Sequence, residues 1–94
     1  MDLTKKQLVF LRAAAHPLEP RLSLGKQGVS DGFRAQLEGA LEREELIKIR
    51  LGRHVDADLA ALAAEVRAEL VQHVGRMVVL YRPFPAPKLV LPAG

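Results

Sequence analysis

Between residues 46 and 51 the chain reads Leu-Ile-Lys-Ile-Arg-Leu, and this period of two sets the terms for everything around it. In a strand, Ile47, Ile49 and Leu51 share one face while Lys48 and Arg50 share the other, the two charges about 7 Å apart. The flanking segments keep a different period. Phe33, Leu37, Ala40 and Leu41 form one apolar stripe before it, and Leu59, Leu62, Ala63, Val66 and Leu70 form another after it. A chain that changes from helical to strand periodicity and back must lay helices against a sheet.

The remaining segments extend the alternation. Thr4-Lys5-Lys6-Gln7 has the form of a capping box, followed by Leu8, Leu11 and Ala15 at helical spacing. His16-Pro17 ends that helix, because the residue before proline avoids helical angles. Arg21-Leu22-Ser23-Leu24 reads as a short strand with Leu22 and Leu24 inward, broken by Gly25-Lys26-Gln27-Gly28. Ser30 or Asp31 caps the second helix, and Glu42-Arg43-Glu44-Glu45 closes it as a polar run. After the turn Gly52-Arg53-His54, Asp56 or Asp58 opens the third helix. Val71–Val74 and Met77–Tyr81 flank Gly75-Arg76, a hairpin signal. The predicted fold is α/β, in the order α-β-α-β-α-β-β, with a mixed four-stranded sheet and three helices in a single domain over residues 1–82. Residues 83–94 hold four prolines and read as an extended tail, with Lys88–Leu91 available for an edge pairing.

Ninety-four residues suffice for one core, and with 49% hydrophobic but only 4% aromatic residues that core is built from Leu, Val, Ile and Ala. Absence of cysteine excludes disulfides and thiolate chemistry. No run of about 18 apolar residues exists, so no membrane-spanning helix is expected. The N-terminus lacks a signal-peptide pattern, which makes a cytoplasmic protein the expectation, and nothing demands more than a monomer. His16, His54 and His73 are too scattered for a metal site, Ser23 and Ser30 have no evident triad partners, and the glycine spacing fits no nucleotide-binding fingerprint. Neither cofactor, metal nor catalysis is expected.

The net charge is +3, unevenly distributed. Residues 1–34 carry six Lys/Arg against three Asp/Glu, residues 70–94 three against none, and residues 35–69 five against eight. Folding that joined the basic ends would create a face for a polyanion. The Gly25–Gly28 loop suits phosphate: glycines let backbone approach closely, the following helix N-terminus offers free N–H groups, and Lys26 adds a charge. Lys48 and Arg50, the helical Lys5, Lys6, Arg12 and Arg34, and Arg82 after Tyr81 are the other candidate contacts. Only Phe10, Phe33, Tyr81 and Phe84 could offer a stacking ring, and only Phe84 looks free of the core. Recognition through backbone and shape is therefore expected over base-by-base readout.

The strand-Gly-Lys-x-Gly-helix unit at 21–43, Glu45-Leu46-Ile47-Lys48-Ile49 and Val79-Leu80-Tyr81-Arg82 together resemble the CRM domain (chloroplast RNA splicing and ribosome maturation), in its stand-alone bacterial, YhbY-like form. The resemblance runs from about Leu3 to Arg82. It implies a fold like the C-terminal domain of translation initiation factor three. It also implies non-catalytic RNA binding at the GxxG loop, and contact with ribosomal RNA precursor in the maturing large (50S) subunit. Gly25, Lys26 and Gly28 match the family's loop, Lys48 the basic position of the second strand, and Tyr81-Arg82 the end of the last. The sequence departs from the pattern at Glu19, where a basic residue is usual before the proline, and at Arg67–Leu70, where a glycine break is usual. It departs again in the long tail. A second reading is a protein-interaction adaptor that docks on a ribosomal protein or assembly factor through that tail.

Overall fold

The alternating periods are realised in full in a computed structural model that describes all 94 residues. The elements are α1 (Lys5–Ala15), β1 (Leu22–Leu24), α2 (Asp31–Arg43), β2 (Leu46–Leu51), α3 (Leu59–Glu65), β3 (Glu69–Val74) and β4 (Met77–Tyr81). The sheet order is β1-β2-β4-β3. β1 and β2 are parallel, with α2 as the crossover such pairing requires, and the other two pairs are antiparallel.

The sheet divides the interior in two. On one face Leu22, Leu24, Ile47, Ile49, Leu51, Val78 and Leu80 pack under α2 and α3. On the other, Leu46, Val71, Val79 and Tyr81 pack under Leu11 and Ala15 of α1. Burying a Leu, Ile or Val of this kind stabilises by about 1.5–3 kcal/mol. α1 covers only part of its face. Along β2 the alternate residues pass from buried Leu46 through half-buried Lys48 to exposed Arg50, and along β4 from buried Tyr81 and Val79 to half-buried Met77. The uncovered part lies towards Leu51.

The helix starts follow the expected chemistry. Thr4 and Gln7 form the capping box, and Ser30 and Asp58 accept from the third helical N–H of α2 and α3. Three expectations need correction. The third helix does not reach Leu70: it ends at Glu65, and Arg67 turns the chain at φ +55°. Arg67 N donates to Ala64 O (3.1 Å) and Ala68 N to Ala63 O (2.8 Å), a complete Schellman closure with arginine where glycine is usual. Leu70 thereby enters β3 and meets the α2–α3 core from a strand. Glu45 is not part of a solvated polar run but is 4% exposed. Lys88–Leu91 adds no strand pairing; the tail instead folds across α1, where Leu89 and Leu91 pack beside Leu3, Leu8, Phe10 and Leu18.

A bulge at Leu70/Gln72 inserts Val71 as an extra residue in β3. Its side chain is buried under α1, and its carbonyl accepts from Arg12 Nε at 3.2 Å.

Candidate nucleic-acid interface

Parallel pairing places the C-terminal ends of β1 and β2 side by side, and antiparallel pairing starts β4 at that same end. Three turns distant in sequence are therefore neighbours: Gly25–Gly28, Gly52–Val55 and Gly75-Arg76. Gly52 N donates to Leu24 O (2.8 Å) and Leu51 N to Arg76 O (2.7 Å). A Cβ at Gly52 would lie 3.3 Å from Leu24 O and 3.8 Å from Gly25 Cα, so glycine permits the first two turns to touch.

The first turn is closed by Gly28 N donating to Gly25 O (3.0 Å), which leaves Lys26 and Gln27 at its exposed tip. Gly28 then takes φ +71°, a conformation costly for other residues, and the chain enters α2. Ser30 Oγ accepts from Phe33 N, but no acceptor in the chain takes the amide protons of Lys26, Gln27, Val29 or the first two residues of α2. Of these residues Lys26, Gln27 and Gly32 border a concavity of about 450 Å³ lined by Ser23 to Gly28, Ser30, Gly32, Phe33 and Gln36.

The basic residues divide into two groups. Lys26, Arg50, Arg53 and Arg76 are exposed at this end and form neither a salt bridge nor a side-chain hydrogen bond within the chain. Lys48 stands at the rim of α1, its Nζ donating to His16 O at 3.2 Å. The others are tied elsewhere. Arg34 contacts Glu65 (2.9 Å) and Asp31 (3.4 Å); hydrogen bonding and charge from Glu65 raise its pKa further above the ordinary range. Arg82 donates to Glu38 (2.6 Å) and to Val66 O (3.0 Å), and this pairing holds the Glu38 carboxyl below its ordinary value. Arg21 is paired with Glu44. Lys5 and Lys6 are exposed in the first turn of α1, beside the tail and away from the loops: Gln7 Nε2 donates to Pro92 O at 3.1 Å. Arg12 is tethered to β3 as described.

Of the sequence candidates, the fold thus brings Gly25, Lys26, Gln27, Gly28 and Arg50 together with Lys48 nearby. It does not bring Lys5, Lys6, Arg12 or Arg82 to them, and Arg34, which shares a hollow with Gly28 and Val29, is paired with Glu65 and Asp31. The positive end is assembled from the two basic terminal segments only in part, through Lys26 and Arg76. Arg50 and Arg53 come from the acidic middle segment, whose carboxylates Glu38, Glu44, Glu45 and Glu65 are turned to internal partners. Arg53 and Arg76 were legible only as turn residues. The signal that finds them is topological, since a β1-α2-β2 crossover followed by an antiparallel strand superposes their turns on the glycine loop.

A family model described as the CRS1 / YhbY (CRM) domain matches residues 3–82. An "RNA-binding protein" of Haemophilus influenzae is 38% identical over 95 residues, spanning 96% of this chain and 95% of that protein. The "Probable RNA-binding protein YqeI" of Bacillus subtilis is 42% identical over 84 residues, 85% of this chain and 88% of its own. The solution structure of the hypothetical protein SAV1595 from Staphylococcus aureus superposes with a TM-score of 0.76 at 35% identity, covering 97% of this chain and all of that one.

Proposed function

The chain belongs to the CRS1 / YhbY (CRM) domain family, and on that premise we propose that it binds RNA through the end of the sheet that carries the Gly25–Gly28 loop. One observation carries the reading: four cations without internal partners converge there with a run of backbone amides that donate to nothing in the chain. Phosphodiester oxygens are strong acceptors with a negative charge, and they complement both sets of groups. Relatives across most of the chain's length carry RNA-binding names. The proposed target is ribosomal RNA precursor in the large subunit during its assembly, and no catalytic step forms part of the proposal. Arg34 and Arg82 are left out of the contact set because their guanidinium groups are occupied. The adaptor is the less favoured reading, because Leu89 and Leu91 of the proline-rich tail pack beside α1 and Pro92 O accepts from Gln7 of the same chain.

The test is association of wild type and a Lys26→Glu/Arg50→Glu variant with large-subunit particles by cosedimentation. The expected result is a loss of about tenfold or more in affinity. For wild type, binding should weaken with salt at a log–log slope of roughly 0.7–0.9 per phosphate contacted. Equal association of the two proteins, or indifference to salt, would sink the proposal.

A further inference from the structure

Resting on the RNA-binding reading, we infer that this end recognises helical RNA through its phosphates, on a surface made by the uncovered half of the sheet and the three adjoining turns, with Arg53 and Arg76 as contacts beyond the loop.

The surface is defined by where α1 stops. Beyond it, β2 presents Arg50, β4 presents Met77 and β3 presents Val74, which is 62% exposed. The turns that carry Lys26, Arg53 and Arg76 border this patch. Charge is separated across the sheet at the same end. The carboxylates there, Asp31, Asp56 and Asp58, sit at the starts of α2 and α3, on the other face of the sheet, where Asp56 and Asp58 line a hollow with Gly28, Val29, Arg34 and Glu65. No carboxylate occurs in residues 46–55 or 70–81, which form the uncovered face and two of its turns, so a polyanion is drawn to the side α1 leaves open.

What the surface lacks identifies the form of the polyanion. Single strands are held by stacking of bases on aromatic rings, each worth about 1–3 kcal/mol. No exposed phenyl, phenol or indole ring lies on this surface, and the imidazole of His54 in the second turn is the one exposed ring there. Phe33 of α2 is buried and reaches only the wall of the loop concavity, Phe10 and Tyr81 pack in the α1 core, and Phe84 lies in the tail with Lys88 Nζ 5.9 Å from its ring centre. The groups on offer are cations and amides on strand ends and tight turns, fixed in position by the sheet. A duplex presents phosphates in a regular array with its bases already stacked, so it forfeits little to a surface whose one exposed ring is His54, whereas a single strand must be ordered with little stacking in return.

The experiment titrates the full chain by fluorescence anisotropy against an RNA duplex of about 20 base pairs and against one of its strands, chosen to be unstructured. A second duplex of scrambled sequence and an Arg53→Glu/Arg76→Glu variant complete it, with thermal unfolding to verify that the variant folds. Should charge reversal unfold the protein, Arg53→Gln/Arg76→Gln replaces it. The expected result is duplex binding about tenfold or more tighter than single strand, equal affinity for both duplexes within about twofold, and a loss of about tenfold in the variant. Single-strand binding equal to or tighter than duplex binding would overturn the inference while leaving RNA binding intact, as would a folded variant that binds duplex like wild type. Failure to bind either form would overturn the RNA reading itself.

Discussion

At the Leu46 end of β2 a carboxylate is buried and surrounded by donors; at the Leu51 end amides and cations are left facing solvent. Glu45 accepts from Phe84 N (2.9 Å), Lys88 N (2.7 Å) and Leu89 N (2.8 Å), all from the tail, while its own carbonyl accepts from Arg82 N (2.8 Å). A buried carboxylate is destabilising unless donors surround it, and the three tail amides meet that requirement. The burial of Tyr81, with the Glu45 charge second, also pushes the Tyr81 phenol up. At the other end Gly28, Gly52 and Gly75 shape turns in which the amides of Lys26, Gln27 and Val29 and the side chains of Lys26, Arg53 and Arg76 have no internal partner. One end is closed by the chain itself, and the other is open to a ligand. The difference teaches that the same kinds of group, backbone N–H and charged side chains, hold the fold together at one end and remain available at the other.

The largest test of that contrast is Glu45→Ala. It removes the acceptor of three tail amides at once, and we expect a loss of about 3 kcal/mol, moderated because a released tail can rehydrate its amides. Urea unfolding gives the magnitude, and limited proteolysis should show cleavage within residues 83–94. Affinity of the folded protein for RNA should stay within about twofold of wild type. A parallel fall in affinity would show that the ends are not independent.

Arg82→Ala is expected to cost less, about 1–2 kcal/mol. The half-buried guanidinium bridges Glu38 on α2 to the Val66 carbonyl at the close of α3, so its loss loosens helix against helix. RNA affinity should be unchanged. Lower affinity at unchanged unfolding free energy would instead return Arg82 to the interface, where the family pattern at the end of β4 had led us to expect it.

The smallest expected effect is the pH dependence of that same pair. Pairing holds the folded Glu38 carboxyl below its unfolded value, so its contribution is complete above the ordinary carboxylate range. It is lost as pH falls through the folded value. The gap in unfolding free energy between wild type and Arg82→Ala should therefore narrow on acidification from neutrality. Glu38 is 40% exposed, and solvent screening keeps the change to a fraction of a kcal/mol. A gap that stays constant down to about pH 2, below the carboxylate range, would mean that Arg82 acts by packing and by its bond to Val66 alone.

Local periodicity and end chemistry were enough to read the order of elements, the glycine loop and its Lys26, the cap at Thr4, the choice of Ser30 or Asp31 and of Asp56 or Asp58 for the other two caps, and the hairpin at Gly75. Each of these depends on residues within a few positions of one another, which is the range over which propensity and capping act. Other features depended on partners far along the chain. Arg67 closes α3 without glycine because Ala68 and Leu70 are held by the strand and core that follow. Glu45 is buried because a tail about forty residues away supplies its donors. Arg34 and Arg82 look like free cations until α2 is set against α3, when Glu65 and Glu38 come within reach. Arg53 and Arg76 become part of the open end only once β1, β2 and β4 are aligned. Sequence alone could identify a positively charged glycine turn between a strand and a helix. Which other charges stand beside it, and which are neutralised at home, was decided by strand pairing and helix packing, because those contacts join residues whose separation along the chain carries no local signal.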